Sequence, residues 1–214
     1  MVRRRLSLFL DILKALLRGS GGLAIAAGTL VHIGWLFDIT LFKTLYIGTA
    51  AMRPLSAWMT IVLGFSLVAL SRRSALPAPR RAGFWMAVLF AGLAVFTVLH
   101  TFFAWTTPLD GYLYRSSPDR ALNNSYVGCV VFLSQAASIL LLWAGRCGLA
   151  QGFALLSLTT TYLGLTGYLY DMGEFQRLAL FHSTSLPYLL VYSLTAIGLL
   201  ASRPQRGLVR ELIS

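Results

Sequence analysis

Six blocks of mostly apolar residues recur along the chain, at about 21–37, 55–71, 83–105, 126–144, 149–170 and 185–202. Each is near the roughly 20 residues that a helix needs to cross the hydrocarbon core of a bilayer. No Asp, Glu, Lys or Arg falls inside any of the six. The pattern predicts an all-α polytopic membrane protein with six transmembrane helices, arranged as three repeated outward hairpins. Polar stretches divide it into an N-terminal segment (1–19), a transmembrane domain (20–202) and a short tail (203–214).

The N-terminal segment has a different period. Ser7, Asp11, Lys14 and Arg18 recur on one helical face, with Phe9, Ile12 and leucines around the remainder. That is the pattern of an amphipathic helix lying in the membrane interface, the alternative being a plain extension of the first span. Asp11 and Lys14 interrupt the apolar stretch that a secretory signal would need.

Three of the breaks between blocks share a motif. "FDITLFK" ends the first block, and "LDGYLYR" and "YDMGEFQR" follow the third and fifth. Aligned on Asp38, Asp110 and Asp171, an aromatic stands four residues on, and Lys43, Arg115 or Arg177 within two more. Each motif precedes a long linker that enters the next helix through small or polar residues: "RPLSAWM", "LNNSYVG" and "FHSTSLP". Such internal similarity predicts three copies of one unit, with short interfacial helices in the linkers. For the aspartate two roles are open. It caps the following interfacial helix, or the acids and bases together with His182 form a receptor for a polar ligand.

Composition agrees with the membrane reading. Of the 214 residues, 57% are hydrophobic and only 12% charged, about half the charged share of soluble domains. The net charge of +11 would suggest nucleic acid in a soluble protein; here its distribution points to topology instead, and no nucleic-acid partner is expected. Thirteen of the eighteen basic residues fall at 1–19, 72–81, Arg146 and the tail, and Lys43, Arg53, Arg115, Arg120 and Arg177 fall on the opposite side with five acids. The positive-inside bias then places both termini in the cytoplasm of a bacterial inner membrane. Aromatic residues such as Trp35, Phe42, Trp105, Tyr114 and Tyr168 suit the outer interfacial belt.

Candidate chemistry is sparse. No nucleophile elbow, phosphate-binding glycine loop or zinc-protease motif occurs, and an enzyme is not expected. Cys129 and Cys147 would lie roughly 27 Å apart along one helix, which excludes a disulfide between them. No catalytic or metal site is expected. His32 and His100 stand in the outer halves of odd-numbered spans, a placement open to interhelical hydrogen bonding or to a bis-histidine haem b. Thr97, Thr101, Ser134, Gln135, Ser138 and Thr159–Thr161 are the polar residues within spans, and Gly22, Ala24, Ala26 and Gly28 the small ones. Both classes mark contacts between membrane helices.

The stretches 34–70 and 167–212, from "GWLFDITLFK" and "GYLYDMGEFQR" onward, resemble the MASE-like multi-pass sensory input domains of bacterial histidine kinases and diguanylate cyclases. "ASRPQRGL" is similar to the exit from the last span of such domains towards an output module, but only about a dozen residues follow that span here. The resemblance implies a non-enzymatic sensor that acts through a larger membrane protein, with bound lipid and no required cofactor. An accessory subunit of a respiratory or photosynthetic complex, contacting lipid, pigment or quinone, is the alternative, with a haem b anchor behind it.

Overall fold

The computed structural model describes residues 2–45, 50–71, 77–103, 125–170, 184–203 and 205. Among them are seven helices and no strand: α1 (Val2–Leu36), α2 (Thr40–Thr44), α3 (Pro54–Ser71), α4 (Pro77–Phe102), α5 (Tyr126–Trp143), α6 (Cys147–Leu169) and α7 (Leu186–Ala201). Each of the six apolar blocks falls largely within one of the six long helices, two of which, α1 and α4, begin well before their block.

Four helices are long and apolar enough to cross a membrane: Ala15–Leu36 within α1, then α3, Ala78–Phe102 within α4, and α5. The other two blocks fall short of the expectation for different reasons. Gln151 and the run Thr159–Thr161 dilute the apolar character of α6, although it is 23 residues long. Helix α7 is strongly apolar but only 16 residues long.

The expected boundary between an interfacial helix and the first span is not a break. One helix of 35 residues runs from Val2 to Leu36, about 52 Å at 1.5 Å per residue. It continues through Gly19, Ser20, Gly21 and Gly22, a run of weak helix formers. Packing offsets that weakness: Gly21 is seated against the backbone of Gly64 in α3, and Ser20 against Gly198 in α7. The side chains of Ser7, Asp11 and Lys14 lie outside the described residues.

Each long helix packs on the next, α1 on α3, α3 on α4, α4 on α5, α5 on α6 and α6 on α7; α7 then returns to α1 and closes the ring. α7 also reaches across to α3 and α5. The face by which α1 joins α3 is Gly21, Ala24 and Gly28, not the Gly22 and Ala26 face. Gly22 and Ala26 are exposed, and a Cβ on Gly22 would meet nothing within 4 Å. Gly21 opposite Gly64, and Gly28 opposite Ala57, set the two helices antiparallel. Small residues at this spacing let the backbones approach closely, which is how membrane helices gain dispersion contact.

Phe132 of α5 meets Tyr188 and Tyr192 of α7 at the centre, with ring centroids 5.4 and 5.3 Å apart in edge-to-face geometry. Met59, Leu63, Phe90, Ile139 and Leu189 belong to the same buried core. Burial is uneven around the ring: 61% of the apolar window is buried in α5, against 28% in α4. Helix α4 is therefore the most outward-facing of the long helices that could span.

Candidate functional site

The first Asp motif folds as a knot that returns the chain from α1 to α3. Phe37 N donates to Ile33 O, and Ile39 N to Gly34 O at 2.8 Å. The second bond is the six-residue closure of a Schellman cap, with Asp38 in its left-handed position at φ 54°. That position favours Gly or Asn, and Asp tolerates it better than branched residues do. The expected N-capping by the aspartate is not what forms: Ile39 is the N-cap of α2, and no side chain caps it. Asp38 ends α1 instead.

Asp38 pairs with Lys43, one turn beyond the cap. The carboxylate is largely in the open, whereas the lysine side chain is only 10% exposed. Its ammonium stands 4.6 Å from the centre of the Trp35 ring. The indole N–H of Trp35 donates to Met52 O at 2.9 Å, and Met52 N donates to Lys43 O at 2.8 Å. Asp38, Lys43, Trp35 and Met52 thus pin the linker down beside the first turn of α3. The short helix expected in this linker is α2. Asp110, Arg115, Asp171, Arg177 and His182 lie outside the described residues.

Beside the knot, α3, α5 and α7 all begin around a cavity of about 20 Å³, room for roughly one water molecule. Arg53 and Ser56 come from the start of α3, Ser125 and Gly128 from that of α5, and Thr184, Ser185 and Tyr188 from that of α7. Phe132 also lines it. Ser125 caps its helix, accepting from Gly128 N at 3.0 Å, and also accepts from the Thr184 hydroxyl at 2.8 Å. Thr184 O accepts from the Tyr168 hydroxyl, which ties in the end of α6. Tyr188 donates to Gly128 O at 3.2 Å. The sequence reading had not singled these residues out as a site. Its signal was present in the polar stretches "RPLSAWM", "LNNSYVG" and "FHSTSLP", whose described members Arg53, Ser56, Ser125, Gly128, Thr184 and Ser185 line the cavity.

Below the cleft, Gln135 joins three helices. Its amide donates to Ser157 Oγ of α6 at 2.9 Å and to Tyr192 O of α7 at 2.7 Å. Its carbonyl accepts from Thr195 Oγ1 at 2.9 Å. Thr60 of α3 donates to the Tyr192 hydroxyl at 3.2 Å, Ser193 to Thr161 at 2.8 Å, and Ser138 to Ala150 O at 2.8 Å. Gln135 and Ser138 therefore do mark helix contacts, as their residue type implied. Thr160 instead bonds its own helix at Leu156 O and faces partly outward.

His32 and His100 are both buried, in different surroundings. The His32 ring lies 4.7 Å from Trp58 of α3, and the His100 ring 6.1 Å from Phe96 on its own helix. Helices α1 and α4 each pack on α3. Cys129 and Cys147 are free and buried, on α5 and at the first residue of α6. Among the described residues no three His, Cys, Asp or Glu side chains cluster.

No family model matches the chain, and no curated protein or solved structure matches it either.

Proposed function

We propose that the chain is a six-span integral protein of a bacterial inner membrane, with both termini cytoplasmic, built from three outward hairpins. It is a non-enzymatic sensor-type domain that binds at its outer end and passes the signal to a membrane partner by shifting helices. The observation that carries this reading is the convergence of three return helices on one polar cleft. A ligand there touches α3, α5 and α7 at once, and α7 in turn contacts α1 and α6. Differential contact of this kind is what couples binding to a helix shift.

Spanning by α6 is supported by where its polar groups go. Gln151, Ser157 and Thr161 are wholly buried, while Leu149, Leu155, Leu156 and Leu163 are exposed as lipid-facing residues would be. Helix α7 has 16 residues and measures about 24 Å, a length that crosses where the bilayer thins locally or the helix ends sit at the interface. Charge asymmetry supports the orientation, and the MASE-like resemblance supports the sensor class.

The test has two parts. With Cys129 and Cys147 replaced by Ala, Asp38→Cys is expected to react with a membrane-impermeant maleimide on intact cells, and Arg146→Cys only after permeabilisation. Labelling of Arg146→Cys from outside would overturn the topology. Purification in mild detergent from native membranes is expected to bring down a stoichiometric membrane partner; a lone monomer would sink the coupling. The outward-facing α4 favours a second reading, an accessory subunit seated by that helix in a larger respiratory or photosynthetic complex. The size of the copurified assembly separates the two.

A further inference from the structure

We infer that α4 is the moving part of the bundle, a strap pinned near Gly83 that swings at its Phe102 end. The inference rests on the sensor reading and deepens it by naming the helix that shifts. Helices α5, α6 and α7 are bonded to one another along their length, by Tyr188 to Gly128 O, Gln135 to Ser157 and Thr195, Ser138 to Ala150 O and Ser193 to Thr161. Each interhelical bond of this kind holds a helix in place by about threefold in its opening equilibrium. Opening any of the three breaks several bonds together, so these helices form one rigid block.

Helix α4 is held differently. From Ala78 to Leu99 it shares one bond between oxygens with a neighbour among the described residues, donated by Ser66 Oγ to Gly83 O at 2.9 Å. Gly83 is also wedged in place. A methyl there would collide with Ala69 of α3 and stand 3.1 Å from the Trp143 ring of α5, which Phe84 meets edge-on. Beyond this pin, the Thr97 hydroxyl reaches only the Met59 sulfur, at 3.7 Å, and a thioether is a weak acceptor. Val88, Leu89, Val95 and Leu99 are exposed along the same stretch. Few buried contacts and few polar ties are the physical marks of a segment that opens locally.

The far end of the strap is latched to α5 by soft contacts. Phe102 meets Tyr126 edge-on at 5.8 Å, and the Cys129 thiol faces Thr101. An aromatic pair holds by only about 2–10-fold, so the released form is populated at rest. Tyr126 is the first residue of α5 and follows Ser125, which lines the cleft. A ligand that turns the start of α5 carries Tyr126 away from Phe102 and frees the strap. The pin at Gly83 converts that release into a swing rather than a loss of the helix.

The experiment uses the full chain with Cys129→Ser and Cys147→Ala, spin-labelled in pairs at exposed positions and reconstituted in phospholipid nanodiscs. Dipolar electron spin resonance reads each distance distribution. Leu99→Cys with Val130→Cys reports the swinging end, Trp85→Cys with Ala144→Cys the pin, and Leu133→Cys with Leu156→Cys the rigid block. The first pair is expected to be roughly twice as broad as the other two, with a longer component. Phe102→Ala should raise that component about 2–10-fold and leave the Leu133–Leu156 pair narrow. Should Phe102→Ala broaden the block as well, Phe102→Leu takes its place. A first pair as narrow as the others overturns the strap, and a pin pair as broad as the first overturns the hinge at Gly83. A longer component that does not grow in the Phe102 variants overturns the latch. These distances are independent of the labelling and copurification results, so a rigid α4 in a chain that still brings down its partner removes the strap and leaves the sensor reading standing.

Discussion

Gly22 and Gly64 make opposite predictions on alanine substitution, and the contrast tests the packing of α1 on α3. A Cβ on Gly64 would stand 2.6 Å from Gly21 O, 2.8 Å from Ile25 Cγ1 and 3.0 Å from Ile25 N. Two of those atoms are backbone and cannot rotate away. Ordinary contact begins at 3.4 Å, so α1 and α3 must part locally by about 0.8 Å. A gap of that order forfeits roughly a quarter to a half of each pairwise dispersion well along the seam. Overpacking of this kind is unfavourable by about 1–3 kcal/mol, against a helix-propensity gain of up to ~1 kcal/mol from replacing glycine. Gly64→Ala is therefore expected to destabilise by about 1–2 kcal/mol. At Gly22 the added methyl meets nothing, leaving only the propensity gain. Unfolding of the purified protein in mixed micelles, followed by helical circular dichroism as the SDS fraction rises, reads both. Gly64→Ala should shift the midpoint down and Gly22→Ala should leave it level or raise it. Equal midpoints, or a lower one for Gly22→Ala, would refute the assigned interface.

Gln135→Leu removes three hydrogen bonds between α5, α6 and α7; at ~0.6 kcal/mol for each interhelical bond in a membrane protein, a loss of about 2 kcal/mol is expected in the same assay. Lys43→Ala should destabilise more than Asp38→Asn. The lysine stem is buried and its charge lies over Trp35, a contact worth about 0.5–1 kcal/mol before packing of the stem is counted, whereas an exposed carboxylate contributes little. Loss of the Trp35–Lys43 contact should also appear as a change in tryptophan fluorescence, absent in Asp38→Asn. With no cofactor expected, the purified protein should show no Soret band; a band that vanishes in His32→Ala or His100→Ala would overturn that expectation and assign the haem alternative.

Most of the architecture was legible in the residue pattern, for a physical reason. Transfer of a helix into lipid is close to a sum over its own residues, so apolar length alone located all six long helices to within a few residues, except for the N-terminal extensions of α1 and α4. The short helix after the first Asp motif was legible too. Other features depend on groups distant in the chain. Gly21 and Gly22 are neighbours of equal chemistry, and only the position of α3 makes one a contact and the other open surface. Likewise, helix continuity through residues 19–22 is decided by what packs against them rather than by their weak propensity. Asp38 and Lys43 were visible as a pair, but whether the acid starts α2 or ends α1 is a backbone matter, settled by the Ile39–Gly34 bond. The cleft was hardest to see. Its hydroxyls come from three linker ends more than 50 residues apart, and each stretch alone reads as an ordinary polar helix start. Local free energies placed the helices; closing the ring brought Ser56, Ser125 and Ser185 together.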